Sequence, residues 1–424
     1  MVERIEIQQT GPLDADIRPP GSKSITNRAL VCAALAEGTS TLEGALDSED
    51  TQVMIESLGR LGLSIEHDAD AARLTVTGGA GAVPRTEADL FVANSGTTIR
   101  FLTSMLAACH GTFRLNGIQR MRERPIADLI DALNQLGGHV TSETDNGCPP
   151  VRIDGTGLAG GRATIRGDIS SQFLSGLLMA SPAARGDVEL AVDGELVSQP
   201  YVTMTLAVME AFGVQVSAGD LMRFVISHGD GYRAARYEIE PDASAASYFW
   251  GAAAIAGGRV LVEGLTRDAL QGDVAFCDCL ASMGCAVEHR PEGIQVTGGA
   301  LHGIDIDMNA ISDTVQTLSA VALFADGPTT ITGVAHIRHK ETDRIGDLAR
   351  ELRRVGAKVD ELPDGLRISP RPLQGAEIVT YNDHRMAMSL ALVGLRTPGI
   401  VILDPSCTRK TYPGFFNDLA MLCG

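Results

Sequence analysis

Two carboxylates stand out by the company they keep. Asp313 lies in Ile311-Ser312-Asp313-Thr314-Val315-Gln316, and Glu341 in His336-Ile337-Arg338-His339-Lys340-Glu341-Thr342-Asp343-Arg344, loops otherwise built of hydroxyls and cations. A carboxylate so placed is a candidate proton carrier, with a salt bridge to Lys340 or Arg344 as the competing role for Glu341. A third candidate is Lys23, in Pro19-Pro20-Gly21-Ser22-Lys23-Ser24-Ile25-Thr26-Asn27-Arg28. There a double proline ends an extended run, and hydroxyl residues lead into an apolar helix predicted over Ala29 to Ala36. Such an entrance points unpaired N–H groups at an anion, beside Lys23 and Arg28. It is not a P-loop, because the leading glycine is missing and Ser22 precedes the lysine. Lysine is scarce in this chain: Lys23, Lys340, Lys358 and Lys410 stand against 31 arginines. Three of the four fall in polar loops of this kind, where a compact ammonium with a shiftable pKa differs chemically from a guanidinium fork.

Other loops add to the charge. Arg120-Met121-Arg122-Glu123-Arg124-Pro125 opens a helix predicted over Ile126 to Leu136, and Cys407-Thr408-Arg409-Lys410-Thr411-Tyr412-Pro413 opens one near the C-terminus. If these loops converge they form a positive site for a small, multiply charged anion in an otherwise acidic protein. Arg124, Arg344 and Arg385 suit phosphate or carboxylate, each charge-assisted bond contributing roughly 1.5–3 kcal/mol. Ser24, Ser170, Ser171 and Ser198 are short donors suited to a phosphate or a hydroxylated ring. His384, between Asp383 and Arg385, is read as orienting backbone rather than as a base. There is no HExxH, no carboxylate cluster at metal spacing and no GxGxxG after a strand, so neither a metal nor a dinucleotide cofactor is expected.

These loops are positioned by a repeat. Short β-like runs end at Gly44, Gly117, Gly194, Gly264, Gly333 and Asp404, separated by 73, 77, 70, 69 and 71 residues. After each run come a polar loop and a helical pattern, stopped by glycine at Gly62, Gly137, Gly213, Gly284 and Gly356, and then an alternating strand. Before each run lie a second polar loop and an Ala/Leu-rich helix that reads as buried. Six such units exceed one core, which predicts an α/β protein of two domains with three units each. The expected domains are 21–240 and 1–20 plus 241–424, with the boundary between Ser227-His228-Gly229-Asp230-Gly231 and Pro241.

The bulk composition narrows the classes further. A formal charge of −18 argues against a nucleic-acid partner. No run of 18 apolar residues suggests a membrane span, and the N-terminus resembles no targeting peptide. The eight cysteines are scattered, and Cys277, Cys279 and Cys285 fit neither zinc nor redox spacing. A cytoplasmic protein with buried thiols is the expectation.

Together these loops resemble the enolpyruvyl transferase family, in the branch acting on shikimate 3-phosphate. The resemblance spans the chain and rests on Gly21-Ser22-Lys23-Ser24 with Arg28, Asn94-Ser95-Gly96-Thr97 with Arg100, Arg122-Glu123-Arg124-Pro125, Ser170-Ser171-Gln172, Ser198-Gln199-Pro200-Tyr201, Lys340-Glu341-Thr342-Asp343-Arg344 and Tyr381-Asn382-Asp383-His384-Arg385. It implies a two-domain inside-out α/β barrel of six βαβαββ repeats that closes around substrates in the interdomain cleft, a monomer without cofactor. It further implies transfer of the enolpyruvyl group of phosphoenolpyruvate to the 5-hydroxyl of shikimate 3-phosphate, through a tetrahedral ketal. Lys23, Asp313 and Glu341 would carry protons, Asp313 nearest the hydroxyl. Phosphoenolpyruvate would lie among Lys23, Gly96, Arg124, Gln172, Arg344, Arg385 and Lys410. Shikimate 3-phosphate would contact Ser24, Arg28, Ser170, Ser171, Gln172, Ser198, Tyr201, Asp313, His336 and Lys340. His336 stands where the family often has Asn, and Phe101 follows Arg100 where many relatives have Pro or Leu. Gly96 leaves room for the inhibitor glyphosate.

Two other readings stay open. The sister enzyme acting on UDP-N-acetylglucosamine uses a reactive Cys on a mobile loop, whereas Gly117 to Pro125 contains none. A non-catalytic anion binder on the same scaffold would be expected to lose Lys23, Asp313 or Glu341, and all three are present.

Overall fold

The computed structural model describes residues 3–229 and 231–424. Asp230, within the expected domain boundary, lies outside the described residues, as do positions 1 and 2 of the expected second domain. The chain divides into two compact units, Gly21–Ile239 and the residues up to Pro20 together with Glu240–Gly424.

Each unit is built around three helices buried on nearly every side, with sheets covering them. In Gly21–Ile239 these helices are Lys23–Leu35, Gly96–Ala107 and Ser171–Ala180. In the other unit they are Ala243–Ala256, Val315–Ala322 and His384–Gly394. All fourteen residues of Ala243–Ala256 are buried, and the Trp250 indole N–H donates to the Ile294 carbonyl at 3.0 Å. Burying the tip of so large a side chain requires such a partner.

Five of the six buried helices start at a side-chain cap. Ser22, Ser95, Ser170, Asp242 and Asp383 accept from the backbone N–H of Ile25, Thr98, Gln172, Ala245 and Arg385. Each such cap contributes about 1 kcal/mol and fixes where the polar loop ends and the helix begins. The first helix accordingly starts at Lys23, well before the predicted Ala29, because Ser22 rather than a later residue caps it.

The sheets repeat one pattern, a parallel pair followed by antiparallel neighbours. Glu87–Phe91 runs parallel to His110–Asn116, which pairs antiparallel with Val151–Thr156. The third sheet of that unit repeats this with Gly161–Arg166, Val188–Asp193 and Arg223–Ile226. In its first sheet the parallel partner of Thr39–Glu43 comes from far along the chain: Arg236–Glu238, with Tyr237 opposite Leu42. In the other unit Leu13–Ile17 is the parallel partner of Gly258–Glu263, with Ala15 opposite Val260. Arg4–Glu6 completes a three-stranded sheet there, Ile5 opposite Ile402. The helix-stopping glycines 62, 137, 213, 284 and 356 all have φ between +86° and +108°, the left-handed region that a Cβ disfavours.

Three cationic loops differ from expectation. They do not run straight into a helix but first form a 3-10 turn: Gln119–Glu123, Ala335–His339 and Pro405–Lys410. Arg124 follows the first turn in extended backbone (φ −86°, ψ 128°), and the helix begins only at Ala127. The physical reason is Pro125, whose ring excludes the helical region for the residue before it.

Candidate active site

In the unit Gly21–Ile239, short polar bonds tie the first turns of the buried helices together. Asn27 Nδ2 donates to Thr97 Oγ1 at 2.7 Å, joining the first helix to the second. Arg28, fully buried, reaches the third: Nη2 donates to Ser175 Oγ and to the Tyr201 carbonyl, both at 3.2 Å. Its Nε donates to Thr205 Oγ1 at 2.7 Å and its Nη1 to the Ser24 carbonyl at 2.9 Å. The guanidinium also lies 5.2 Å from the Phe101 ring centroid and 6.0 Å from that of Tyr201, a cation–π arrangement that stabilises a desolvated charge. Burial lowers the Arg28 pKa to about 10, which leaves it charged at neutral pH. Phe101 is therefore part of the Arg28 seat.

The other predicted residues of this unit lie on the same loops. Lys23 Nζ is 3.5 Å from Asp50 Oδ2. Arg124 Nη1 donates to the Asn94 carbonyl at 3.0 Å and to its Oδ1 at 3.3 Å. Arg100 braces this corner, donating to the Gly96 carbonyl at 3.2 Å and the Pro125 carbonyl at 3.0 Å. Gly96 is glycine for a reason: a Cβ there would collide with Arg124 Nη2 and lie 2.8 Å from Arg100 Nη1. Ser170 is the helix cap, Ser171 is buried in the first turn, and Gln172 Oε1 is buried with no hydrogen-bond partner among the described residues. Ser198, at φ +53°, turns the chain into the helix Gln199–Ala211 that carries Tyr201.

The second unit holds a different arrangement. Asp313 Oδ1 accepts from Lys340 Nζ at 2.6 Å and from Arg344 Nη1 at 3.4 Å, and Oδ2 accepts from Arg385 Nη2 at 2.6 Å. Burial alone would raise Asp313, but Arg385, Lys340 and Arg344 together hold its carboxyl well below the usual range. Glu341 shares Arg344 with it and adds a fourth cation, Oε2 lying 2.8 Å from Arg344 Nη2 and Oε1 3.4 Å from Lys410 Nζ. Lys340 is lowered by burial, against the pull of Asp313. His336 Nε2 lies 3.0 Å from Ser312 Oγ, and burial and Lys340 push the imidazole down to about 3, so it is neutral at physiological pH. The structure thus brings Asp313, His336, Lys340, Glu341, Arg344, Arg385 and Lys410 into one cluster.

Several partners in that cluster escaped sequence reasoning. Asp383, fully buried, accepts from Arg344 Nε at 2.7 Å and Nη2 at 3.0 Å while capping its own helix through the Arg385 N–H at 2.9 Å. Its place directly before an Ala/Leu-rich helix was the available signal. Tyr248, whose hydroxyl accepts from Arg385 Nη1 at 3.3 Å, gave none. Asp273 sits in the turn Gly272–Ala275, where its Oδ2 accepts from the Ser244 hydroxyl. Burial, and next to it the charge of Asp313, raise its carboxyl to about 6.

Among the described residues no group of three or more His, Cys, Asp or Glu could hold a metal ion, and no helix is long and apolar enough to cross a membrane. Cys277, Cys279 and Cys285 are buried free thiols.

Cations set beside carboxylates in this way are suited to holding anions and to exchanging protons. The family model for EPSP synthase (3-phosphoshikimate 1-carboxyvinyltransferase) matches residues 7–419. The chain is 48% identical to the 3-phosphoshikimate 1-carboxyvinyltransferase of Trichormus variabilis, over 97% of each chain. It is 47% identical to that of Shewanella denitrificans over 99% of each. The solved EPSP synthase of Acinetobacter baumannii superposes with a TM-score of 0.82 at 27% identity, covering 99% of this chain and 98% of that one. With a match over nearly its whole length, this chain belongs to the EPSP synthase family of enolpyruvyl transferases.

Proposed function

We propose that this protein transfers the enolpyruvyl group of phosphoenolpyruvate to the 5-hydroxyl of shikimate 3-phosphate, with release of phosphate, in the shikimate pathway leading to chorismate and the aromatic amino acids. The observation that carries the reading is the clamp on Asp313: three cations around one largely enclosed carboxylate, with Glu341 bound to the same arginine. In the reaction C3 of the enol gains a proton, the hydroxyl oxygen attacks C2, and the ketal then loses phosphate and that proton. Such a sequence needs acid–base groups and fixed cations for a phosphate that becomes the leaving group.

The clamp supports both needs. An ionised Asp313 accepts a hydrogen bond from the substrate hydroxyl and aligns it for attack. While three cations face it, Asp313 is a weak base. An anionic substrate drawn to Arg344, Arg385 and Lys340 adds negative charge beside Asp313 and so raises its proton affinity. The carboxylate thereby becomes a base when substrate is present. Glu341, paired with Arg344 and Lys410, exchanges the proton at the enol carbon, giving it to C3 as the hydroxyl adds and recovering it as phosphate leaves, with Lys23 as the third proton-carrying group. From the unit Gly21–Ile239, Lys23, Gly96, Arg124 and Gln172 hold phosphoenolpyruvate. Ser24, Arg28, Ser170, Ser171, Gln172, Ser198 and Tyr201 hold shikimate 3-phosphate. From the other unit, Arg344, Arg385 and Lys410 contribute to the first substrate and Asp313, His336 and Lys340 to the second. The protein acts as a cytoplasmic monomer in this reading.

Phosphate release from phosphoenolpyruvate tests the assignment, measured with shikimate 3-phosphate and, as control, UDP-N-acetylglucosamine. Release with the first alone is expected; release only with the second would transfer the assignment to the sister enzyme.

A further inference from the structure

The turn that delivers Asp383 and Arg385 to the cluster is held in a costly shape. Tyr381 and Asn382 are consecutive non-glycine residues at φ +55° and +53°, a region that a side chain disfavours and that persists only where the surroundings impose it. The imposing contact lies on the helix Gly346–Arg354. The Tyr381 hydroxyl donates to Glu351 Oε1 at 2.7 Å and accepts from Arg350 Nη1 at 3.1 Å. Glu351 is fully buried, and its Oε2 accepts from the Val379 N–H at 3.1 Å, so one carboxylate grips the chain on both sides of Thr380. Arg350 also lies 5.7 Å from the Tyr381 ring centroid. The turn then closes through the Asp383 N–H to the Thr380 carbonyl at 2.9 Å, and Asp383 receives Arg344 in a two-pronged bond.

We infer that Tyr381 and Glu351 are positioning residues for the reaction: their hydrogen bond fixes the left-handed turn that aims Asp383 at Arg344, and so sets the guanidinium offered to phosphoenolpyruvate. The inference rests on the proposed role of Arg344. The side-chain hydrogen bonds of Tyr381 and Glu351 run to Arg350, Val379 and each other; they act through the turn and then through Asp383. Loosening the latch lets Asp383 swing and leaves Arg344 with Glu341 and Asp313 as its anions. The guanidinium then turns toward those carboxylates and away from the substrate.

Steady-state kinetics on Tyr381→Phe, which keeps the ring and removes the hydroxyl, test this. The KM for phosphoenolpyruvate is expected to rise about tenfold with kcat within threefold. Adding Asn382→Gly should return at least half of the lost affinity, because glycine takes the left-handed conformation without the latch. A defect of packing alone would not be rescued that way. A KM within twofold of the parent, or a rise that Asn382→Gly leaves in place, overturns the latch. Arg344→Lys, measured alongside, separates the two levels. If it raises KM and Tyr381→Phe does not, only the latch fails; if Arg344→Lys leaves KM unchanged, the role of Arg344 fails and the latch with it.

Discussion

The two units use the same repeat to make opposite electrostatic environments. In Gly21–Ile239, Arg28 is seated on hydroxyls and backbone carbonyls, and Arg124 and Arg100 donate to carbonyl and amide oxygens. In the other unit Lys340, Arg344, Arg385 and Lys410 face Asp313, Glu341 and Asp383. Neutral acceptors fix a cation without cancelling it, so the first arrangement keeps its positive field for an anionic ligand. Carboxylates cancel the field locally but place proton acceptors where charge will move. The first arrangement therefore suits binding, Lys23 beside Asp50 being its exception, whereas the second combines cations for binding with carboxylates for proton transfer.

The largest test of this contrast is the cost of removing one partner. Asp383→Ala strips the buried Arg344 of its two-pronged anion and uncaps a helix, and should cost about 3–5 kcal/mol of unfolding free energy. Asn94→Ala in the other unit removes one long bond to Arg124, which retains the backbone carbonyl, and should cost about 1 kcal/mol or less. Urea unfolding of both variants measures the difference; equal losses would erase the distinction.

A smaller effect concerns Asp273, whose carboxyl holds its proton to higher pH than that of Asp313. Its folded pKa, about 6, lies above the ordinary 3.8, so the folded state holds a proton that the unfolded state releases between those values. Stability should therefore fall as pH rises from about 4 to 6, by on the order of 2–3 kcal/mol. Asp273→Asn should flatten that slope in denaturation curves at pH 4.5 and 7. A slope unchanged in the variant would show that Asp273 is ionised throughout.

Smaller again is Gly96→Ala, whose new methyl meets Arg124 and Arg100. The KM for phosphoenolpyruvate should rise about tenfold, near 1.4 kcal/mol, with kcat changed far less because Gly96, Arg124 and Arg100 carry no proton in the proposed reaction. Glyphosate, expected to share that pocket, should lose affinity in the same variant. The smallest shift is a gain. Gln316 is fully buried, and neither end of its amide has a hydrogen-bond partner among the described residues. Gln316→Met, of similar volume, should raise stability by about 1 kcal/mol in a thermal melt; a loss would show that the amide is satisfied after all.

The sequence made the repeat legible because glycine stops and short apolar strands recur near every 70 residues, a signal that sums over six copies. The site loops were legible for a related reason: an acidic chain has few motives for gathering Lys and Arg beside helix starts. What stayed hidden has a physical cause too. The strand Arg236–Glu238 is three mostly polar residues whose partner, Thr39–Glu43, lies nearly two hundred positions away, and no local pattern encodes such a pairing. The 3-10 turns are too short to show a period. Asp383 was passed over because its neighbours Arg385 and His384 look more chemical, yet its burial turns a cap into an anchor.

The division of labour is tested most directly by measuring kcat and substrate affinity side by side for Asp313→Asn and Arg124→Lys. The account predicts that Asp313→Asn lowers kcat by about a thousandfold while shikimate 3-phosphate binding, followed by calorimetry, stays within a few-fold. Arg124→Lys should raise the KM for phosphoenolpyruvate by at least tenfold with kcat largely kept. The reverse pattern, or equal loss of both quantities in both variants, would contradict it.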